Sequence, residues 1–284
     1  MDTPSATLPP LSSRRVIPGF GLSLGITLSY LGLVVLLPLT ALMMSALDIP
    51  ADRLWSLASD PRTLAAFRLS FGLALLAAAI NWLLGLLIAW VLVRYRFPGR
   101  ALVDAAIDLP FALPTAVAGI ALATVYAPSG WIGHWLAQVG IQMAFNPAGI
   151  LLALIFVGLP FVVRTVQPVM RDLPIEREEA AISLGAGRWT VFRRVLLPAI
   201  LPASITGMTL AFARAIGEYG SVIFIAGNLP MVSEIVPLLI VVRLEQFDFA
   251  GANALALMML LSSLLLLMAI NTLQRRYSGS AAHG

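Results

Sequence analysis

The sequence predicts an all-α protein, a polytopic membrane helix bundle with six transmembrane helices, and three observations carry that prediction. Of 284 residues, 60% are hydrophobic and only 11% are charged, against roughly 25% charged in a soluble domain. Mean hydropathy is +0.93. The apolar residues fall in runs of about 20, the length that crosses a hydrocarbon core of about 30 Å.

Residues 1–18, rich in Pro, Ser and Thr and containing Arg14 and Arg15, read as an N-terminal tail. Residues 19–274 read as one six-span domain and residues 275–284 as a C-terminal tail. The first run, 20–47, is too long for a signal-peptide core and lacks a small-residue cleavage site, so it is expected to be an uncleaved span. A polar connection, 48–63, leads to the second span, 64–93, which is closed by Arg94, Arg96 and Arg100. The third, 108–126, carries Pro110 and Pro114 in its first turns, where proline removes helical hydrogen bonds or kinks the axis. Broken backbone at membrane depth survives only inside a bundle or beside a cavity, but the same prolines fit the plain start of a helix. The following loop, 127–147, has no carboxylate and no arginine.

The fourth span, 149–168, contains Pro160 and ends near Arg164. The fifth is expected at 200–226. The apolar stretch 235–244 would rise about 15 Å as a helix, half a bilayer, so it should lie at the interface or re-enter. The sixth span, 252–273, is closed by Arg275 and Arg276. Thirteen of the 18 basic residues fall in the tails and in the second-to-third and fourth-to-fifth connections. By the positive-inside rule both termini and residues 178–198 are expected on the cytoplasmic side of the membrane.

Composition also excludes functions. All 18 basic residues are arginine, so a phosphate-loop lysine for nucleotide hydrolysis is absent. There is no cysteine, hence no disulfide, thiolate metal site or thiol nucleophile. His134 and His283 stand apart from other ligand-type residues. No catalytic site, metal site or cofactor is expected on this chain. The net charge of +4 reflects arginines that orient the chain in the bilayer, not nucleic-acid binding.

One segment stands out as polar, EEAAISLGAGRWTVFRRVLLP at residues 178–198, within a connecting loop at 171–198. Glu176, Glu178 and Glu179 suit the positive end of a short helix, which Gly185, Ala186 and Gly187 would end. Trp189, Phe192 and Val195 recur at threes along a second short helix, with Arg188, Arg193 and Arg194 between them. Spacing alone fits an amphipathic loop on the membrane surface as well as a docking element.

Glu179-Ala180-Ala181, three residues, Gly185, nine residues, then Val195-Leu196-Leu197-Pro198 resembles the EAA loop of permease subunits in ABC-type importers. Where the family pattern has isoleucine, this chain has Val195, a small change in an apolar contact. SSRRVIPGF, RYRFPGR, DLPFALPTAVAG, PFVVRTVQPV and GEYGSVIFIAGN extend the resemblance over nearly the whole chain, to the T-type permease subunit of sulfate/thiosulfate importers. Molybdate permeases have similar GE-aromatic-G segments. The resemblance implies a type I ABC importer permease fold in a bacterial inner membrane. It implies that Glu178, Glu179, Ala180, Ala181, Gly185, Arg188, Leu197 and Pro198 couple to a cytoplasmic ATPase. The implied partners are a W-type permease subunit, two ATPase subunits that hold ATP and Mg, a periplasmic sulfate- or thiosulfate-binding protein, and membrane lipid.

Arg214 and Glu218 lie four apart in the fifth span. Charges in hydrocarbon face a partner or a watery path, and at this spacing they can simply pair. Alternatively Arg214 lends positive potential to an anion's route, and Glu218 helps set a gate around Gly217, Tyr219 and Gly220. Three transport readings follow: a sulfate/thiosulfate permease working by alternating access, a molybdate or tungstate permease, and an ion-coupled secondary carrier using Glu218 and Asp108. The absence of an internal duplication counts against the last. Arg164 reads as an interface anchor, and Asp104 and Asp108 are assigned to no site.

Overall fold

The computed structural model describes residues 20–281, with side chains for all of these except Ala46 and residues 273–281. The expected tail at 1–18 lies outside the described residues, as do residues 282–284. All regular structure among the described residues is helical. The chain divides into two compact units, one ending at Asp48 and one beginning at Ile49.

In the first unit α1 (Phe20–Leu31) passes through a π-helical turn (Gly32–Leu36) into α2 (Leu37–Leu47). Pro38 lacks an N–H and its ring crowds the preceding turn of an α-helix. The wider turn, closed by the Leu37 N–H on the Gly32 carbonyl, lets the helix pass the proline unbroken.

The second unit begins with α3 (Ala51–Ser59) and α4 (Pro61–Arg94). Asp60 accepts from the Arg62 N–H and Pro61 occupies the first turn, a favourable start for α4. Then come α5 (Arg100–Ile107), α6 (Leu109–Ala112), α7 (Thr115–Tyr126), α8 (Gly133–Gln138) and α9 (Pro147–Asp172). Asn146 caps α9 through the Ala148 and Gly149 N–H groups. They are followed by α10 (Glu176–Ser183), α11 (Arg188–Val191), a second π turn (Phe192–Leu196), α12 (Leu197–Ile216), α13 (Val222–Ile225), α14 (Val236–Glu245) and α15 (Phe249–Ala281).

The core is α4, α9 and α12. In hydrocarbon no hydrophobic force draws helices together, so close van der Waals contact must do so, and small residues permit it. A Cβ on Gly158 would sit 2.5 Å from Asn81 Nδ2, one on Gly85 would sit 2.7 Å from Val162 Cγ1, and one on Gly207 would sit 2.9 Å from Val162 Cα. These contacts fix the register. Asn81 lies level with Gly158 and Ala211, and Gly85 with Val162 and Gly207, so α4 and α9 run parallel and α12 runs against them. Apolar clusters fill the core on both sides of Asn81. Asn81 itself is fully buried, and both of its amide atoms lack a hydrogen-bond partner.

Arg68 and Arg94 stand at equal distances in sequence from Asn81, about 20 Å along the helix in each direction. The Asn81 layer is therefore the midplane of an apolar slab about 30 Å thick, with an Arg68 end and an Arg94 end.

Among the described residues, five helical stretches are long and apolar enough to cross a membrane: Phe20–Ser45, Pro61–Arg94, Pro147–Asp172, Arg188–Ile216 and Phe249–Thr272. The expected third span, 108–126, is divided. Pro110 opens α6, and Pro114 precedes α7, which has 12 residues, about 18 Å. Both prolines thus start helices, and no single helix covers that segment. The expected fifth span also shifts, from 200–226 to Arg188–Ile216. Its start is earlier because the second π turn, closed by the Leu197 N–H on the Phe192 carbonyl, carries the helix past Pro198. Consequently there is no separate second helix in the polar loop. It ends earlier because the chain leaves the helix at Gly217. α14, over the stretch expected not to cross, buries Val236, Leu238 and Leu239 and packs against α4 and α15. α15 runs to Ala281, so residues 275–281 continue the last helix.

Candidate functional site

At the Arg94 end, α10 stands on the bundle as a short polar helix with no buried residue. Its C-terminus is a complete glycine cap: Gly185 is left-handed at φ +83°, and the Gly185 and Ala186 N–H groups bond the Ile182 and Ala181 carbonyls at 2.8 and 3.0 Å. Glu179, Ala180, Ile182 and Leu184 are exposed, Leu184 at 90%. This is a small-residue ridge with apolar ends, open to another surface.

Glu178, expected with that ridge, is turned the other way. Its Oε1 lies 2.7 Å from Arg94 Nη2, both side chains being about six-sevenths buried, in an ionic contact without hydrogen-bond alignment. Arg94 also donates to the Leu173 carbonyl at 3.3 Å. One arginine at the end of α4 thus braces both the exit of α9 and the base of α10. Arg188 is exposed at the start of α11, where Trp189 stacks on Phe192 and Phe192 meets Trp90 of α4. Leu197 and Pro198 fall inside the span helix, away from the α10 ridge.

The same end holds a second cation centre. Arg164 donates to Asp108 Oδ1 and Oδ2 at 2.8 and 2.7 Å, to Asp104 Oδ1 at 2.7 Å, to the Asp104 carbonyl at 2.8 Å and to Gln167 Oε1 at 2.6 Å. The hydrogen bond from Arg164 holds the Asp104 carboxyl below the usual carboxylate range. Arg164 is therefore the clasp that fastens α5 and α6 to α9. Asp104 and Asp108, assigned to no site from the sequence, are its partners.

Near the other end, α12 stops at Ile216 and Glu218 folds back, 1% exposed. Its Oε1 accepts from the Ser221 N–H at 2.9 Å and from Ser221 Oγ at 2.8 Å. Its Oε2 pairs with Arg214 Nη1 at 2.5 Å, and the Arg214 side chain is 34% exposed. The charge pair expected from spacing is thus present, with the acid buried and the base part open. The candidate gate glycines differ. Gly217 faces open space, whereas a Cβ on Gly220 would collide with Thr115 Oγ1 at the start of α7. Tyr219 is half-buried against the core.

A fourth charged contact has no signature in the sequence. Arg62 Nε and Nη2 donate to the two Glu234 carboxylate oxygens at 2.7 Å each, and Glu234 is 2% exposed. With the Val236 N–H on Ser70 Oγ at 2.8 Å, it locks the entry to α14 onto α4.

A bundle of this kind, with glycine-tight helices long and apolar enough to cross a membrane, has the architecture of a polytopic membrane protein. The fold agrees. A chain of the crystal structure of a bacterial ABC transporter involved in the import of the acidic polysaccharide alginate superposes with a TM-score of 0.76 at 17% identity, covering 91% of this chain and 96% of that one. Residues 81–280 match the family described as binding-protein-dependent transport system inner membrane component, and the chain belongs to that family. It is 49% identical to the sulfate transport system permease protein CysT of Escherichia coli (strain K12), covering 94% of this chain and 96% of that relative. It is 52% identical to the protein of that name from Synechococcus elongatus, over 88% and 91%. This chain is accordingly a non-catalytic, multi-pass permease subunit of an ABC importer.

Proposed function

We propose that the chain is the T-type permease subunit of an importer for sulfate and thiosulfate, working by alternating access. The observation that carries this reading is the identity of about half of all residues, over nearly the full length, to relatives named as sulfate permeases. In this reading α10 and the loop 171–198 face the cytoplasm, and so do both termini. A W-type permease pairs with the chain, two ATPase subunits supply nucleotide-driven closure, and a periplasmic binding protein delivers the anion. A second similar structure is that of a bacterial alginate ABC transporter in complex with an alginate pentasaccharide-bound periplasmic protein, which supports the general mode of delivery. Choice among oxyanions rests mainly with the binding protein, whose pocket can surround the anion with hydrogen-bond donors.

Labelled sulfate uptake in cells lacking this gene but retaining the other components tests the substrate. Restoring the chain should restore uptake, with excess thiosulfate blocking it and molybdate leaving it unchanged. Competition by molybdate alone would move the chain to the molybdate and tungstate branch.

The coupling surface has its own prediction. Glu179→Lys reverses an exposed charge on α10, and Gly185→Asp forces a side chain into a left-handed turn at a cost of about 1–2 kcal/mol. Both variants should keep the folded bundle but lose transport-linked ATP hydrolysis in the assembled complex. Normal uptake in both would remove α10 as the coupling element.

A further inference from the structure

We infer that the segment 127–146, between α7 and α9, is an anchor seated in the membrane interface at the Arg68 end, with lipid as its partner. The segment contains no Asp, Glu, Lys or Arg. It nevertheless exposes Trp131 at 85%, Trp135 at 68% and Val139 at 69%, residues spaced four apart. Tryptophan joins an apolar body to a polar N–H and is enriched where hydrocarbon meets headgroups. A loop standing in water would bury such rings or replace them.

The segment is also tied down. The Ile132 N–H bonds the Val125 carbonyl at 3.0 Å and the Phe145 N–H bonds the Ile225 carbonyl at 2.7 Å. Gly130 and Gly133 lie so close to the carbonyls at the end of α7 that neither site has room for a Cβ. The loop therefore lies against the end of the bundle and does not project from it.

Depth identifies what it meets. Pro147, where α9 begins, precedes the midplane residue Gly158 by 11 positions, about 17 Å of helix. The hydrocarbon half-thickness is about 15 Å. Asn146, where the segment joins α9, thus sits at the hydrocarbon edge, the level of a lipid headgroup. The segment offers no charged side chain to pair with a protein partner. The inference needs only a membrane-spanning bundle and stands whatever the transported anion.

The absence of cysteine allows a clean test. Trp135→Cys and Val139→Cys would each carry a single nitroxide label, in a transporter whose other subunits are made cysteine-free, within vesicles of phosphatidylethanolamine and phosphatidylglycerol. Leu84→Cys, on the exposed side of α4 near the midplane, and Arg96→Cys, exposed in the polar connection between α4 and α5, serve as lipid and water references. Relaxation by oxygen, relative to a water-soluble nickel chelate, should be severalfold higher at positions 135 and 139 than at 96. Ready access by the chelate would overturn the inference in favour of an aqueous loop. Shielding from both reagents would overturn it in favour of a protein contact, and two positions guard against one variant failing to fold.

Discussion

Arg214→Ala should abolish uptake and also lower the stability of the solubilised chain, and a second substitution should separate the two effects. Glu218 is 1% exposed and shares its carboxylate between Arg214 and Ser221. Removing the guanidinium leaves a buried anion with only the Ser221 donors, and breaking such a pair costs about 3–5 kcal/mol. Arg214→Ala/Glu218→Gln removes both charges while keeping an acceptor for Ser221. Its thermal unfolding should return to within about 1 kcal/mol of the parent, since neutral replacements of buried pairs are often tolerated. Uptake should remain lost, because the part of Arg214 that stays open is the positive charge left to act on an anion. Recovery of uptake in the double variant would make the pair a structural fastening with no role in the path.

Gly207→Leu should prevent the bundle from assembling, while Gly217→Ala should be close to neutral for stability. A Cβ at 207 would meet the backbone of Val162 at 2.9 Å, and Gly85 presses on the side chain of Val162 from the other side. Backbone cannot rotate away, so α9 and α12 must separate to admit the new side chain. Overpacking costs typically 1–3 kcal/mol where side chains can adjust, and about 3 kcal/mol or more is expected here. Gly217 has a negative φ and open space around it. Thermal unfolding in detergent, followed by circular dichroism, checks both. A Gly207→Leu variant that unfolds with the parent would show that the three helices are not held by this contact.

Hydropathy located most of the spans because lipid imposes an unbroken apolar run on any helix that crosses it. It misplaced those where the backbone departs from that rule. The segment 109–126 carries no charged residue, yet its helix stops and restarts at Leu113 and Pro114. The fifth span begins among Arg188, Arg193 and Arg194 because those side chains point outward from a helix that continues beneath them. The Arg214 and Glu218 pair was legible because four residues make one turn. The Arg62 and Glu234 pair joins residues 172 positions apart, and the Arg164 cluster joins residues 56 to 63 apart. Such pairings follow from how helices pack, and no local pattern announces them.

The π turn at Phe192–Leu196 gives the span that follows it a mechanical character. Because α11 and α12 form one rod, a push on α10, if it is the coupling element proposed above, would meet the foot of a lever and not slack chain. The rod is softest where Pro198 has removed a bond and the turn is wide. Under the proposed coupling, a displacement at Arg188 would become a tilt about Leu196 and Leu197. Arg214 lies near the far end of that rod, which stops at Ile216 just before Glu218, so a small stroke at one membrane face would reach the charge pair as a swing.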